Sequence, residues 1–197
     1  MEKSLLIATS NPGKMKEIKS LLQGVDIQLL FPDEIKMDIS VEESGSSYEE
    51  NALLKARTYA QLSHMMTLAD DTGLEVAALG GLPGLHSHRL APDPHAEDAE
   101  RRAILLEKLS SYPKPWKARF VCKVVLYKEG HEPLITSGFC DGEIIREERG
   151  SRGFGFDPIF YFPEINKTMA EMTLLEKNQV SHRAMAINKM IPFLLDY

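Results

Sequence analysis

The chain has 197 residues, of which 43% are hydrophobic and 26% charged, an ordinary composition for a globular protein. Its formal net charge of −6 offers no basic surface for polymeric nucleic acid. Cys122 and Cys140 lack metal-type spacing, so we expect reduced thiols, although a single bridge between them stays open. No apolar run is long enough for a signal peptide or a membrane span. We therefore expect a cytoplasmic protein, away from membranes, in which residues 1–197 form one domain with two intimate lobes.

The first predicted element is a buried strand, Leu5–Ala8, followed by turn-forming residues and then by apolar side chains at helical spacing from Met15 to Leu22. A polar loop between a strand and a helix presents N–H groups and the positive end of the helix to an anion, and Lys14 adds a charge suited to phosphate. The second glycine of a Walker motif is missing, so a plain connection is the alternative. The loop consists of Thr9, Ser10, Asn11, Pro12, Gly13 and Lys14.

Two adjacent acids, Asp70 and Asp71, follow a second apolar run, residues 65–69. The run predicts a buried strand, with Thr72 and Gly73 as the turn that leaves it. In α/β sheets, ligands bind in the crevice beyond the carboxyl ends of strands. Two carboxylates at that place suit a hard metal ion and an activated water, whereas a solvated acidic turn is the alternative.

Residues ahead of and within the next predicted helix, from about Ser47 to Leu62, offer further charged groups. Glu42 and Glu43 either form a charge pair at the helix entry, favoured by the positive end of the helix, or supply a second carboxylate to a metal held by Asp71. The helix face available to a neighbouring cleft carries Glu50, Asn51 and Lys55. His86 and His88 do not indicate zinc, because no further His or Cys lies near them in the sequence.

The second half of the chain predicts a helix over residues 99–109 with its Arg101/Arg102 side in solvent, and then an antiparallel meander of three strands between residues 116 and 145. The meander would turn at residues 140–143. The glycine-rich loop that follows, residues 151–158, contains Phe154, an aromatic side chain that could stack on a nucleobase; a tight turn with core-filling Phe residues is the alternative. A last helix is predicted after Ser181 as its N-cap.

Several of these stretches, taken together and in this order, resemble the inosine/xanthosine triphosphate pyrophosphatases, enzymes that remove deaminated purine nucleotides. The resemblance extends over about residues 5–190. It departs from the family pattern at Leu90, where many relatives carry Tyr, and at Phe156, where many carry Tyr or Trp. The matching segments are residues 9–14 with Glu17, 43–45, 50–56, 69–74, 80–84, 153–158 and 181–183.

The resemblance implies an α/β fold with an elongated central mixed sheet flanked by helices, two lobes with the active-site cleft between them, and a homodimer. It implies hydrolysis of ITP, dITP or XTP to the monophosphate and pyrophosphate with Mg²⁺. Asp71 would be the general base and, with Glu43, a metal ligand. Residues 9–14, Lys55 and Thr72 would hold the phosphates. Phe154 would stack on the base, in a pocket shaped by Gly155, Phe156, Asp157, Lys177, His182 and Arg183.

Base chemistry favours the same assignment, since hypoxanthine and xanthine carry a 6-keto acceptor where adenine carries an amino donor. A pocket of donors, such as Arg183 and loop N–H groups, would leave adenine with donor facing donor, which can discriminate by about 10⁴-fold. Two alternatives stay open. The substrate could be another modified nucleotide, or the chain could be a nucleotide sensor that binds without hydrolysis.

Overall fold

The computed structural model describes residues 3–93 and 95–196, and it shows an α/β protein in which a mixed sheet of eight strands is flanked by five helices. This confirms the predicted fold class. The helices are α1 (Pro12–Leu21), α2 (Tyr48–Ser63), α3 (Asp98–Leu109), α4 (Leu174–Val180) and α5 (His182–Asp196). The strands are β1 (Ser4–Ile7), β2 (Gln28–Leu30), β3 (Thr67–Val76), β4 (Pro83–Gly84), β5 (Trp116–Tyr127), β6 (Leu134–Ile144), β7 (Phe160–Phe162) and β8 (Lys167–Thr168).

The strands follow the order β2-β1-β3-β5-β6-β7-β8, and β4 pairs with β3 outside this path. β1 is parallel to both of its neighbours, with Leu6 opposite Leu30 and Ile7 opposite Leu68. β7 is antiparallel to β6 and to β8. The sheet therefore combines a parallel part, typical of strand–helix–strand connections, with an antiparallel part.

The chain forms two compact units. The first unit comprises the residues up to Thr72, the segment Cys122–Gly138 and the residues from His182 onward; the second comprises Gly73–Val121 and Phe139–Ser181. The single-domain organisation and the cleft between lobes remain predictions.

The first unit buries both faces of its strands, since neighbouring residues in a strand point to opposite sides of the sheet. On one side, Leu5, Ile7 and Leu68 pack with Ile18 of α1 and Ile187 of α5. On the other side, apolar residues of the same strands pack with α2; these are Leu6, Ala8 and Ala69 with Ala52, Ala56 and Tyr59. The unbroken apolar run at the start of the chain is explained by this burial on two faces.

The second unit has a core of its own, rich in aromatic side chains. The rings of Phe120 and Phe160 are 4.7 Å apart between centroids, and Trp116 lies in the same core with 2% of its surface exposed. Trp116 is therefore a packing residue.

The predicted turn at Thr72-Gly73 is wrong, because β3 continues through both residues to Val76. Leu74 and Val76, which follow the predicted turn, are fully buried in the core of the second unit. Burial of these two side chains outweighs the turn preference of a Thr-Gly pair. Asp70 and Asp71 consequently lie in the interior of a ten-residue strand and not at its end.

The predicted three-strand meander is also wrong, because β6 runs unbroken through the proposed turn at residues 140–143. Gly142 lies where the strand meets its neighbour β7, and a Cβ atom there would be 2.7 Å from the ring of Phe160. The glycine thus marks a close contact between strand and ring, a role that glycine also has in strands.

Smaller corrections concern local ends and burial. Helix α1 begins at Pro12, earlier than predicted, because Asn11 caps it and proline fits its first position. Arg101 and Arg102 were expected in solvent, but Arg101 is buried, with its Nε donating to the carbonyl of His88 at 2.8 Å. The Arg102 side chain is only 12% exposed, because it binds the carbonyl of Gly155. Cys122 and Cys140 are both buried free thiols. Among the helices described, none is long and apolar enough to cross a membrane.

Candidate functional site

Strand β3 directs its two acids to opposite faces of the sheet. Ala69 and Asp71 point toward α2, while Leu68, Asp70 and Thr72 point toward α1 and α5. Both residues are buried, with 2% of Asp70 and 6% of Asp71 exposed. Each acid is therefore ionised or protonated according to a different set of neighbours.

On the α2 face, Lys55 joins the two carboxylates that were predicted to hold a metal. Its Nζ lies 2.7 Å from Oε1 of Glu43 and 3.4 Å from Oδ1 of Asp71. Glu43 and Asp71 thus face one common cation. The structure brings together three residues that the sequence separates by 12 and 16 positions.

Asn51 binds the second oxygen of Asp71; the sequence placed it on the face available to a cleft but assigned it no role in the site. Its Nδ2 donates to Oδ2 of Asp71 at 3.3 Å, and its Oδ1 accepts from the N–H of Gly45 at 2.8 Å. A Cβ atom at Gly45 would lie 2.7 Å from that Oδ1, so glycine permits the contact. The Glu50-Asn51 pair at the start of α2 was the available sequence signal.

The electrostatics of this face favour a carboxyl group that can take up a proton. Burial raises the pKa of Asp71, opposed by the Lys55 ammonium and assisted by the Glu43 carboxylate. Burial would lower the pKa of Lys55, but Asp71, Asp70 and Glu43 raise it above its usual value. A raised carboxyl pKa is the direction expected for a general base that works near neutral pH.

The same residues fit a magnesium ion by the chemistry of their ligand atoms. Carboxylate oxygens are the hard ligands that Mg²⁺ prefers, and Glu43 and Asp71 are already close to one positive charge. Within residues 3–93 and 95–196, no cluster of three or more His, Cys, Asp or Glu side chains could hold a metal. Mg²⁺ is commonly bound by one or two carboxylates together with substrate phosphates, so a pair of acids suffices.

On the opposite face, Asp70 gathers positive charge. Its Oδ2 lies 3.0 Å from Nζ of Lys14 and 3.2 Å from both Nε and Nη2 of Arg183. It also accepts from the hydroxyl of Thr72 at 3.0 Å. Oδ1 is buried and has no hydrogen-bond partner in the described part of the chain. Asp70 is thus a buried anion neutralised through a single oxygen.

Arg183 is almost fully enclosed at the start of α5. Its guanidinium binds Glu17 through Nη1, Asp70 through Nε and Nη2, and the Thr72 hydroxyl at 3.2 Å. Burial would lower the pKa of Arg183, but Asp70 and Glu17 raise it above its usual value. The guanidinium that was predicted to read a base carbonyl is therefore engaged by two carboxylates in this structure.

Asp70 and its neighbours carry strong pKa shifts. Burial would raise the pKa of Asp70, but Lys14 and Arg183 hold it far below its usual range. Burial raises the pKa of the nearby Cys122 thiol to about 12, with the Asp70 charge adding to the effect. Cys122 therefore stays protonated at neutral pH.

The predicted phosphate loop has a capped helix start. Asn11 Oδ1 accepts from the N–H of Lys14 at 3.0 Å, and Thr9 Oγ1 accepts from the N–H of Asn11 at 3.2 Å. Pro12, Gly13 and Lys14 form the first turn of α1. Lys14, on this turn, is the residue that reaches Asp70. The structure thus places the loop and the Asp70 face of β3 together.

The second unit contains the other predicted group, centred on the glycine loop, residues 151–158. Asp157 Oδ2 accepts from the N–H of Phe154 at 2.9 Å and from Nζ of Lys177 at 2.5 Å. That Nζ is 5.0 Å from the centroid of the half-buried Phe154 ring. A Cβ atom at Gly153 would lie 1.9 Å from the same Asp157 oxygen, and its φ is +75°. Glycine is therefore required for this loop conformation.

Two predicted pocket residues serve the protein interior. Phe156 is part of the hydrophobic core of the second unit, which supports the core-filling interpretation for this Phe. His182, in the first unit, is buried at the first position of α5, with its carbonyl against Gly138 of β6. Contact of either side chain with a base stays a prediction.

The site residues therefore form two groups, one in each unit. In the first unit are Thr9, Ser10, Asn11, Pro12, Gly13, Lys14, Glu43, Lys55, Asp71, Thr72, His182 and Arg183; in the second are Phe154, Gly155, Phe156, Asp157 and Lys177. Sequence reasoning missed the structural roles of Asp70 and Glu17, because their partner Arg183 is distant in the chain, and it assigned Asn51 no role.

Comparison with known proteins gives the chain its relatives. The Ham1 family profile matches residues 5–193. A dITP/XTP pyrophosphatase of Synechocystis sp. is 46% identical over 190 residues, which are 95% of this chain and 93% of the relative. The dITP/XTP pyrophosphatase of Bacillus subtilis is 41% identical over 194 residues, which are 98% of this chain and 97% of that protein.

Solved structures agree. The Ham1 protein of Staphylococcus aureus superposes with a TM-score of 0.85 at 39% identity, with 98% of each chain covered. A HAM1 protein from Coxiella burnetii gives a TM-score of 0.88 at 38% identity over 99% of this chain and 100% of that one. These similarities confirm the resemblance drawn from the motifs, and the chain belongs to the Ham1 family.

Proposed function

We propose that this protein hydrolyses deaminated purine nucleoside triphosphates, ITP, dITP and XTP, to the monophosphate and pyrophosphate. The observation that carries the proposal is the meeting of Glu43, Lys55 and Asp71 on the α2 face of β3. A buried acid, Asp71, and a partly exposed one, Glu43, beside one lysine suit a polyphosphate substrate with a divalent cation. Relatives of similar length are dITP/XTP pyrophosphatases.

In the proposed reaction, Asp71 accepts a proton from a water whose oxygen attacks the α-phosphorus. The new Pα–O bond forms as the bond to the bridging oxygen of the β-phosphate breaks, and pyrophosphate leaves. No covalent enzyme intermediate is needed. Positioning and charge neutralisation supply most of the acceleration in phosphoryl transfer, and Lys55, Lys14 and the N–H groups at the start of α1 are the donors available for it.

A magnesium ion belongs to the proposal, held by Glu43 and Asp71 together with substrate oxygens. When bound, Mg²⁺ would neutralise phosphate charge and lower the pKa of a bound water. Lys55 forms ion pairs with both carboxylates, which supports a site whose negative charge favours a bound cation.

Base recognition is proposed to lie at the glycine loop, with Phe154 as the stacking surface. Asp157 and Lys177 fix the backbone N–H and the ring of Phe154, which supports a preformed platform. A 6-keto purine would accept from donors of the pocket, whereas the 6-amino group of adenine would leave them unpaired.

The test is pyrophosphate release by the purified protein from ITP, dITP, XTP, dATP and dGTP, with and without Mg²⁺. We expect metal-dependent release from the first three and little from dATP, whose 6-amino group would face donors. Little release from dGTP, which shares the 6-keto group, would have to depend on its 2-amino group. If pyrophosphate were released only from modified pyrimidine nucleoside triphosphates, the proposed reaction would stand but the substrate would be a pyrimidine nucleotide. Tight binding of ITP with no turnover at any Mg²⁺ concentration would replace the enzyme with a nucleotide sensor.

We also propose a homodimer that works on the nucleotide pool of the cytoplasm. Two free, buried cysteines are consistent with a reducing compartment. Light scattering during size-exclusion chromatography checks the dimer; a mass of 22.1 kDa, that of one chain, would contradict it.

A further inference from the structure

The glycine loop is held from outside by the first turns of helix α3. Asp98 Oδ2 accepts from the N–H of Gly155 at 2.7 Å, and Arg102 Nη1 donates to the carbonyl of Gly155 at 2.9 Å. Asp98 and Arg102 are four residues apart and share one face of α3. Both backbone polar groups of a single loop residue are therefore bound by one helix.

Each of the two side chains is itself fixed. Arg102 forms a forked pair with Glu148, through Nε at 2.7 Å and Nη2 at 3.0 Å, and its side chain is only 12% exposed. Asp98 Oδ1 accepts from Arg101 at 3.1 Å, and the Nε of Arg101 donates to the carbonyl of His88. Charged, forked hydrogen bonds of this kind have a defined geometry.

The backbone of Gly155 is bound by these hydrogen bonds on a side of the loop that is otherwise open. A Cβ atom at Gly155 would meet nothing within 4 Å. The residue has φ +61°, in the left-handed region, between the half-buried Phe154 and the core residue Phe156. The N–H of Phe154 is bound by Asp157, whereas the backbone after it is bound by Asp98 and Arg102. The backbone that carries the Phe154 ring is thus bound on both sides of that residue.

We propose that Asp98 and Arg102 are positioning residues for base recognition, which act through the backbone of Gly155 on the Phe154 platform. The proposal rests on the proposed function, since it gives these residues a role in binding the base. A loop placed by the helix presents the ring and its neighbouring N–H groups in one orientation. Loss of that orientation weakens base binding before it affects the chemistry at Asp71, because misplacement by about 1 Å can cost 10²-fold.

The experiment compares Arg102→Met, Asp98→Ala and Asp98→Asn with the wild-type protein. For dITP we expect Arg102→Met and Asp98→Ala to raise KM by roughly tenfold while kcat stays within about twofold of wild type. In the same two variants, the ratio of kcat/KM for dITP to kcat/KM for dATP should fall as KM for dITP rises. Asp98→Asn keeps an oxygen acceptor for the Gly155 N–H, so its KM for dITP should be close to the wild-type value.

Arg119→Met is the matched control. Arg119 makes an equally forked pair with Asp141, at 2.7 and 3.1 Å, and this pair involves no residue of the glycine loop. Its KM for dITP should stay at the wild-type value. Equal effects of Arg102→Met and Arg119→Met, or a loss of kcat with unchanged KM, would overturn the proposal.

Hydrogen exchange separates this inference from the proposed function. The Gly155 amide should exchange roughly tenfold faster in Asp98→Ala than in wild type, since its acceptor is lost. If the wild-type protein released no pyrophosphate from dITP while the Gly155 amide still exchanged faster in Asp98→Ala, the proposed function would fail. The hold of Asp98 on the Gly155 backbone would nevertheless be confirmed. Unchanged exchange together with wild-type KM would remove the positioning role itself.

Discussion

Asp70 and Asp71 are neighbours in strand β3, yet their carboxylates bind residues on opposite faces of the sheet. Asp70 contacts Lys14 and Arg183, and Asp71 contacts Lys55 and Asn51. The pKa of the first acid is lowered by its two cations, whereas burial leaves the pKa of the second raised. One acid is therefore a permanent buried anion, and the other is suited to exchange a proton.

The variant Asp71→Asn should lose turnover and keep its fold. A general base contributes about 10²- to 10⁴-fold, so kcat for dITP should fall by at least the lower factor. Burial already disfavours the charged form of Asp71, so its neutral counterpart should unfold at a similar temperature. Steady-state kinetics and calorimetry check both points, with Asp141→Asn on the exposed surface as control. Wild-type kcat in the Asp71→Asn variant would remove Asp71 from the chemistry.

The variant Asp70→Asn should instead be less stable. It leaves Lys14 and Arg183 without the anion between them, and breaking a buried ion pair costs about 3–5 kcal/mol. Urea unfolding at neutral pH measures the loss in the free energy of unfolding. A loss no larger than that of Asp141→Asn would show that the cations do not need Asp70.

The effect of Asp70 should depend on pH in one direction. Its folded-state pKa is far below its usual value, so its contribution is complete above the unfolded-state pKa of about 4 and falls as pH decreases below it. The stability difference between wild type and Asp70→Asn should therefore be greatest near neutral pH and shrink below about pH 4. A difference that grew in acid would contradict the assigned shift.

The thiols should resist modification in the folded protein. Burial raises the pKa of Cys122 to about 12, and Cys140 is buried in the core of the second unit. A thiolate is the reactive form, so a disulfide reagent should titrate neither cysteine until urea is added, and both afterwards. Immediate reaction of one thiol in the native protein would contradict this burial.

The variant Gly138→Ala should disturb the junction between β6 and α5. A Cβ atom there would lie 2.2 Å from the carbonyl oxygen of His182, which is backbone and cannot rotate away. We expect a loss of about 1–3 kcal/mol or more in the free energy of unfolding, as in overpacked cores. Gly24→Ala is the control, because its Cβ would meet nothing within 4 Å and only its positive φ opposes substitution.

The sequence predicted the elements of this fold better than their partners. The sequence predicted β1 from its apolar run, α2 from about Ser47 onward, and α3 from its helical periodicity. These three elements were predictable because the residues that determine burial and helix starts lie within or next to each element. Thr72-Gly73 and Gly142 were misjudged as turns, since their local preference is overridden by residues that pack on them from elsewhere. Glycine at a close contact and glycine in a turn look alike in sequence.

The site was predictable as a set of motifs and not as a geometry. Nothing near Asp70 in the sequence indicates that its partners are Lys14 and Arg183, the latter 113 positions away. The same distance hid Glu17, which pairs with Arg183 across 166 positions. The prediction that Arg183 binds a base carbonyl came from its motif. Its buried ion pairs with Asp70 and Glu17 became visible only in the folded structure.

The pairing of Arg183 with Glu17 has a consequence for synthesis on the ribosome. The first unit needs α5, which is synthesised only after every segment of the second unit. Until α5 arrives, Asp70 and Glu17 are acids without their arginine, and the cores of β1 and β3 lack the helix that covers one side. The nascent chain should therefore bring Glu17, Asp70 and Arg183 together only after α5 has been synthesised. Arrested chains that end before residue 182 would then give no folded first unit in limited proteolysis.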